Sequence, residues 1–361
     1  MTLVGCYSRG RKTNHMSLGL GVIGIQRCVF AGTRGVDYKQ ISGFRSVIPG
    51  MSQWLRMRSM KDEYEFDDRR LSSLVLTLKS PDPIPLHHRL SLLARPSFGY
   101  QISAYGDTTE ITERVIIETT CEDESLCTWE EHEELHDSIR ELMGLSAWKP
   151  FNLSELRAQR RDDPHRVLDG TPVGDRWAPV LRNGITDYPV PDGHIRFMFT
   201  FEDLGADGIR RWVDLRTGKY SRGIQPVLDL HLPRGVPIET QVAQSGIGLD
   251  GIGYLLALDA NVSKSTANDE PHACRLRRVW ADLGDIQMPF TEDDWVDNSA
   301  RAYNATKHAN RKMPTVEELV EVRRMNQLVF RVWAAIKIGL SAELLSERIK
   351  MDPMNKPIEF L

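Results

Sequence analysis

Length, composition and charge limit the classes of protein to which this chain can belong. It has 361 residues, of which 41% are hydrophobic and 27% are charged, and these proportions are ordinary for a globular protein. The length exceeds the usual size of one domain and favours two. The formal net charge of -4 excludes a polycation, so any contact with nucleic acid must come from a local basic patch.

Cysteine spacing and hydropathy indicate the cellular compartment of the protein. The five cysteines are Cys6, Cys28, Cys121, Cys127 and Cys274. They lack CxxC spacing, which argues against a zinc ribbon and against a disulfide framework. The apolar run at 18–25 is short for a signal peptide, and no window reaches the ~18 apolar residues of a membrane span. We therefore expect a cytoplasmic protein without a membrane partner.

The first part of the chain has mixed, strand-rich patterning. Apolar and β-branched residues form strand-like runs at 74–78, 115–117 and 195–201. Two amphipathic helices are predicted at about 129–145 and near 209–214. Residues 1–235 are therefore predicted to form a β-rich α+β domain.

The apolar period changes to that of a helix after "LPRGVP" at 232–237. Helices are predicted at about 239–261, 271–284, 292–310, 315–339 and 341–350. In the fourth, Thr315 and Glu318 have the spacing of a capping box. The predicted fold class is therefore α+β, with the β-rich domain followed by an all-α helical bundle at 236–361.

The stretch "SARAYNATKHANR" at 299–311 gathers polar and cationic side chains without an acid. On a continuous helix, Arg301, Asn304, His308 and Arg311 would lie on one stripe. A guanidinium can hold a phosphate at two points, and an imidazole can move a proton near neutral pH. Metal-free RNA cleavage needs both functions, because the 2′-hydroxyl loses a proton while charge develops on the phosphorus centre. A solvated basic helix face is the simpler interpretation.

Two segments carry a resemblance to a known family. The Arg-x6-His arrangement from Arg301 to His308, followed by a long helix that ends in "VFRVWAAIKIGLS", resembles the C-terminal part of a HEPN domain. The segment "YKQISGFRSVIPGMSQWL" at 38–55 is similar to the N-terminal domain of the ApeA-like branch. In that branch a β-rich N-terminal domain precedes the HEPN bundle in prokaryotic anti-phage proteins. The resemblance covers about residues 38–350.

This resemblance implies a metal-independent endoribonuclease, toxic to the cell during abortive infection, that uses no cofactor. Arg301 would stabilise the transition-state phosphate, His308 would transfer protons, and Asn304 would fill the polar position between them. The neighbouring cations that would bind the RNA substrate are Lys307, Arg311 and Lys312. Many members use an Arg-x4-His spacing instead, and the arginine position of that spacing is Tyr303 here.

The resemblance also implies partners. HEPN bundles usually pair so that two Arg/His motifs share one cleft, and we therefore expect a homodimer formed through the bundle. The β-rich domain would act as a sensor or regulatory domain, and a phage-derived trigger would be its further partner.

Two alternatives stay open. The first is a catalytically silent HEPN-like module that binds RNA or a protein. The second is a zinc hydrolase centred on "HEELH" at 132–136, because two histidines four apart on a helix face one way and can share a metal. His132 and His136 would then be ligands, Glu133 the general base and Glu155 the third ligand. The simpler interpretation of this motif is an amphipathic helix whose histidines edge the core.

Overall fold

A computed structural model describes residues 1–12, 20–30, 35–87, 92–103, 106, 108–122, 125–183, 193–231 and 235–356. The chain divides into two compact units. The β-rich unit comprises Met1–Arg140 and Phe151–His194, and the helical unit comprises Glu141–Pro150 and Ile195–Leu361. A β-rich part followed by a helical part confirms the predicted α+β class.

The β-rich unit is built on an antiparallel sheet. Its strands are β1 (Thr2–Lys12), β2 (Leu20–Val29), β3 (Gly43–Val47), β6 (Ile84–His87), β7 (Leu92–Ile102), β8 (Thr109–Thr120), β9 (Ser154–Gln159) and β10 (Trp177–Arg182). Within the described ranges these eight strands follow the order β1-β2-β10-β9-β3-β8-β7-β6. The predicted strand at 115–117 is confirmed as part of β8.

A separate hairpin joins β4 (Met60–Asp67) to β5 (Arg70–Leu78), and it confirms the predicted strand at 74–78. Large apolar side chains on both of its strands are exposed, among them Tyr64, Phe66, Leu74 and Val75. The hydrophobic pattern of this hairpin therefore does not mark a buried core.

The core of the β-rich unit lies where helix α2 (Trp129–Ala147) meets β3. The side chain of Phe44 on β3 is fully buried, and its ring contacts the Trp129 ring at a centroid distance of 5.9 Å. Leu135 and Ile139 on α2 are also fully buried, and burial of each contributes about 1.5–3 kcal/mol. The predicted amphipathic helix is confirmed. The short helix α1 (Met51–Leu55) adds Trp54, also fully buried, to this core.

The segment at 195–201, predicted as a strand, is not one. Its backbone bonds to the end of α2 instead of a neighbouring strand: the Met198 N–H donates to the Ser146 carbonyl at 2.9 Å. Helix α3 then begins at Phe201, behind a capping box formed by Thr200 and Asp203. The prediction was wrong because the extended residues before Thr200 bond to the end of α2 and not to a strand, and alternation in sequence cannot reveal which partner an extended segment has.

The helices of the helical unit are α3 (Phe201–Thr217), α4 (Ser221–Leu228), α5 (Ile238–Asp259), α6 (Lys264–Asp269), α7 (His272–Ala281), α8 (Glu292–Lys307), α9 (Val316–Lys337) and α10 (Ala342–Met351). The helices predicted from 239, 271, 315 and 341 are confirmed within a few residues. Helices α3 and α4 precede residue 236, so the helical unit also includes residues before the predicted start of the bundle. Within the described part of the chain, no helix is long and apolar enough to cross a membrane.

Helices α5 and α9 form the centre of this unit. Helix α5 contacts α4, α7, α8 and α9, and glycines permit its close approach. A Cβ atom at Gly253 would overlap the Arg275 carbonyl oxygen of α7, and one at Gly248 would lie 2.6 Å from the Gly223 carbonyl oxygen of α4. These glycines are therefore packing residues, despite their low intrinsic helix propensity.

Candidate functional site

Helix α8 carries the predicted catalytic segment, and its inner face is fixed by buried polar bonds. The Trp295 indole N–H donates to the Asn326 Oδ1 atom of α9 at 2.9 Å, and the Ser299 hydroxyl donates to the same oxygen at 2.8 Å. At its start, Thr291 caps the helix by accepting from the Asp294 N–H at 3.2 Å. With this face held against α9, Arg301 and Asn304 are exposed.

The C-terminal end of α8 departs from the prediction. The helix ends at Lys307, and His308 is its C-cap with extended φ and ψ angles of -125° and 110°. The predicted continuation to 310 is therefore wrong, and His308 and Arg311 do not follow the helical stripe that Arg301 and Asn304 begin. Beyond the end of α8 the chain forms a turn in which the Arg311 N–H donates to the His308 carbonyl at 3.0 Å, and Pro314 disfavours helical backbone at Met313.

Arg301 pairs with an acid from another helix. Its Nη2 atom lies 2.9 Å from the Glu318 Oε1 atom and 2.9 Å from the Asn298 Oδ1 atom. Glu318 belongs to the predicted capping box of α9, which is confirmed. The backbone N–H of Thr315 and the Arg301 guanidinium hold the pKa of Glu318 below its usual value, although partial desolvation opposes them. The acid that is missing from 299–311 is thus supplied by α9.

Of the predicted RNA-binding residues, Lys307 ends α8, and Arg311 and Lys312 lie in the exposed segment that follows it. The Lys307 Nζ atom donates to the Tyr303 hydroxyl at 3.1 Å and lies 4.4 Å from the centre of its ring. His308, Arg311 and Lys312 are exposed. These four residues, 307, 308, 311 and 312, are called the α8 basic end below. Because they are exposed and close in sequence, they are the candidates for the local basic patch that any nucleic-acid contact would need.

A His–Asp pair that sequence reasoning missed lies next to this end. The His272 Nδ1 atom of α7 is 2.8 Å from the Asp250 Oδ1 atom of α5, and the His272 ring is 4.3 Å from the Tyr303 ring. Among the described residues, none forms a hydrogen bond with the buried His272 Nε2 atom. Burial raises the pKa of Asp250. Hydrogen bonds and charge interactions with His272 and Arg275 lower it by more, so the pKa lies below its usual value. The pair joins different helices, so no local motif announces it.

The "HEELH" histidines are both fully buried. The Thr119 hydroxyl oxygen lies 2.8 Å from the His132 Nδ1 atom and 3.0 Å from the His136 Nε2 atom. The Ser46 hydroxyl lies 2.7 Å from the His136 Nδ1 atom. Burial lowers the pKa of His132 to about 4 and that of His136 well below its usual value. Both imidazoles are therefore neutral at physiological pH.

The carboxylates of the zinc-hydrolase alternative are engaged elsewhere. The Arg27 guanidinium holds Glu133 at both oxygens, with distances of 2.9 and 2.6 Å. Glu155 is exposed and lies 2.6 Å from Arg114, where it lines a cavity with His165. His132, His136 and Glu155 are thus not brought together, and Glu133 is not available as a base.

Two cysteines lie beside His132 instead. Cys121 and Cys127 form a disulfide with their Cα atoms 6.3 Å apart, which the sequence did not lead us to expect. The Cys121 Sγ atom is 3.5 Å from the His132 Nε2 atom. Cys121, Cys127 and His132 each offer a potential metal ligand, and within the described ranges these atoms all lie within 4.8 Å of one another. The Cys-x5-Cys-x4-His spacing lacks a CxxC pair, so no motif in the sequence predicts this cluster.

The architecture is that of a β-rich sheet domain joined to a helical bundle that carries a basic helix end. Residues 1–212 match the family model described as ApeA N-terminal domain 1. The chain therefore belongs to the ApeA family, as the segment at 38–55 indicated, and this membership suggests a context of anti-phage defence. No curated protein and no solved structure matches the chain.

Proposed function

We propose that the protein is a metal-independent endoribonuclease that acts as a toxic effector in anti-phage defence. The observation that carries this proposal is the α8 basic end, where cationic side chains and an exposed imidazole follow directly on Arg301 and Asn304. Family membership through residues 1–212 supports the defence context. The HEPN character of the helical unit belongs to the proposal and derives from the resemblance at 301–308.

In the proposed reaction, His308 accepts the proton of a ribose 2′-hydroxyl and the 2′-oxygen attacks the adjacent phosphorus atom. The bond to the 5′-oxygen breaks, that oxygen takes up a proton from solvent, and His308 releases its proton to solvent. The products carry 2′,3′-cyclic phosphate and 5′-hydroxyl ends. Arg301 stabilises the charge on the phosphorus centre, Asn304 donates a hydrogen bond, and the remaining cations of the α8 basic end hold the RNA backbone.

Arg301 can take this role without losing its present partners. Its hydrogen bonds to Glu318 and Asn298 both use Nη2. None of the described hydrogen bonds uses its Nε or Nη1 atoms, and a guanidinium has five N–H donors. The Arg301 side chain is 53% exposed, so a phosphate can reach the remaining donors.

Pairing of two copies completes the proposed site. Ala302 and Ala305 are buried inside the bundle, so a second copy must approach the exposed side of α8, which carries Arg301 and Asn304. Each copy would then bring its imidazole to a shared cleft. A phage-derived trigger acting through the β-rich unit would control this assembly.

The decisive experiment measures cleavage of RNA by purified protein without added divalent cations. Arg301→Ala and His308→Ala should each lower the rate by about 10²- to 10⁴-fold. The controls Arg222→Ala and His165→Ala remove the same side chains from other exposed positions and should leave the rate unchanged. Retained cleavage in both site variants would reject the assignment, as would products that lack cyclic phosphate.

A silent RNA-binding or protein-binding module is the second candidate. The Arg301–Glu318 pair favours it, because the guanidinium is already neutralised, and so does the end of α8 before His308. Glu318→Gln distinguishes the ribonuclease from the silent module. Glutamine still supports a capping box, but the negative charge that competes with RNA phosphate for Arg301 is removed. A ribonuclease should then cleave RNA a few-fold faster. A silent module should bind RNA more tightly, with a steeper salt dependence, and yield no products.

A further inference from the structure

Cys121, Cys127 and His132 meet at the join between β8, the following loop and the start of α2. Cys121 directly follows β8, Cys127 precedes the N-terminus of α2 by two residues, and His132 lies in its first turns. Cys121 and His132 are buried, and Cys127 is half-buried. Two potential thiolates and an imidazole therefore converge from separate parts of the chain at one largely dry position.

Backbone hydrogen bonds hold the two cysteines in position. The Cys121 N–H donates to the Ser42 carbonyl at 2.9 Å. Cys127 and Ile41 exchange both backbone hydrogen bonds, at 2.9 and 3.0 Å. Both ends of the intervening loop are thus attached to the segment that leads into β3. The two side chains stay close without any contribution from a bond between their sulfur atoms.

The separation of the ligand atoms suits a tetrahedral metal. For bond lengths of 2.3 Å to sulfur and 2.0–2.1 Å to nitrogen, a tetrahedral zinc ion places these two ligand atoms about 3.6 Å apart. The Cys121 Sγ and His132 Nε2 atoms are 3.5 Å apart. Two thiolates on the same ion lie about 3.8 Å apart, so metal binding and the disulfide exclude each other.

A chain of hydrogen bonds orients His132 from behind. If its Nδ1–H donates to the Thr119 hydroxyl at 2.8 Å, the Thr119 O–H can in turn donate to the His136 Nε2 atom at 3.0 Å. The His136 Nδ1–H then donates to the Ser46 hydroxyl at 2.7 Å. In this arrangement the His132 Nε2 atom, which lies 3.5 Å from the Cys121 Sγ atom, carries a lone pair. Metal-ligating histidines are commonly oriented by such a bond to the other ring nitrogen.

We propose that Cys121, Cys127 and His132 form a zinc site when both cysteines are reduced. A dithiol reductant converts the disulfide into two thiols and is itself oxidised to a disulfide. The two thiols and the neutral imidazole then bind one Zn²⁺ and release two protons to solvent. Thiolate and imidazole ligands favour zinc among the common divalent metals. A water molecule, entering beside half-buried Cys127, takes the fourth position, and the ion fixes the start of α2 to the sheet.

Metal analysis of the full chain tests this site independently of RNA cleavage. Protein purified under reductant should contain about one zinc ion per chain. Cys127→Ser should lose the metal, whereas the control Cys274→Ser, at an exposed cysteine of the helical unit, should keep it. Thr119→Val should weaken zinc retention against a chelator by about 10- to 100-fold through loss of the orienting bond. Cobalt substituted for zinc should show thiolate-to-metal absorption that Cys127→Ser diminishes.

Several results would overturn the proposal. One is a folded, reduced chain without stoichiometric zinc, and another is a metal content that Cys127→Ser leaves unchanged. Thiol titration under denaturing conditions gives a third, since two of the five cysteines form the disulfide. Protein that still shows three titrating thiols and no zinc after purification under reductant would make the disulfide the resident state and would contradict the zinc site. If Cys127→Ser fails to fold, the zinc content and cobalt spectrum of the unaltered chain still decide.

Discussion

Substitution of Arg331 by methionine should strongly destabilise the helical unit. The Arg331 side chain on α9 is 2% exposed, and it donates to the Leu145 and Ser146 carbonyls at 2.9 and 2.8 Å. It also lies 2.9 Å from the carboxylate of Asp352, which is 4% exposed. Methionine keeps much of the apolar stem. It removes every donor, together with the guanidinium that lies 5.7 Å from the centre of the Trp148 ring, so a buried carboxylate and two carbonyl oxygens lose their partner.

The expected loss is about 3–5 kcal/mol in the free energy of unfolding, the usual cost of breaking a buried ion pair on one side. For a unit of this size, such a loss corresponds to a fall in melting temperature of roughly 6–20 °C. Thermal and denaturant unfolding, followed by tryptophan fluorescence, would measure it. In the double variant, Asp352→Asn should recover part of the loss because it removes the unpaired buried charge. The amide oxygen of asparagine can still accept the hydrogen bond from the Met354 N–H, which the Asp352 carboxylate accepts in the unaltered chain.

A control separates burial from charge. Arg210→Met breaks an ion pair with Asp207 on α3 in which both side chains are exposed, and it should change stability by less than about 0.5 kcal/mol. Equal losses of unfolding free energy in Arg331→Met and Arg210→Met would refute the reasoning. So would a double variant whose loss equals the sum of the losses in Arg331→Met and Asp352→Asn. Either result would mean that the buried pair contributes no more than a solvated one.

Further predictions concern packing, pH and capping. Gly253→Ala should cost about 1–3 kcal/mol through overlap with the Arg275 carbonyl, whereas Gly251→Ala on the same helix has ordinary contact distances from 3.4 Å and should be neutral or stabilising in denaturant unfolding. The pKa of Asp250 is lowered in the folded chain, so its carboxylate contributes stability that is present above its unfolded pKa near 4 and is lost as pH falls through the folded pKa. The free energy of unfolding of Asp250→Asn should therefore fall less between pH 5 and pH 2 than that of the unaltered chain. Thr315→Ala should cost about 0.5–2 kcal/mol of unfolding free energy by removing the α9 cap.

Local signals explain what could be predicted from the sequence. The capping box at Thr315 and the apolar period of α9 are written in neighbouring residues, and both are confirmed. The end of α8 was missed because the backbone at His308 leaves the helix although the side-chain pattern continues. The Asp250–His272 pair joins two helices, and the Cys121–His132 contact joins a loop to a helix. Contacts of this kind depend on tertiary packing, which a single sequence does not display.

Burial decides which of the two predicted catalytic motifs keeps functional potential. Glu133 is held at both oxygens by Arg27 with the two side chains 7% and 9% exposed, so releasing it as a base would cost about 3–5 kcal/mol. The Arg301–Glu318 pair is 53% and 41% exposed, and exposed pairs are weak and screened by salt. A phosphate can therefore bind the remaining Arg301 donors with little competition from Glu318. The α8 basic end consequently remains the better candidate for chemistry on an anionic substrate, although the "HEELH" motif is the more familiar sequence.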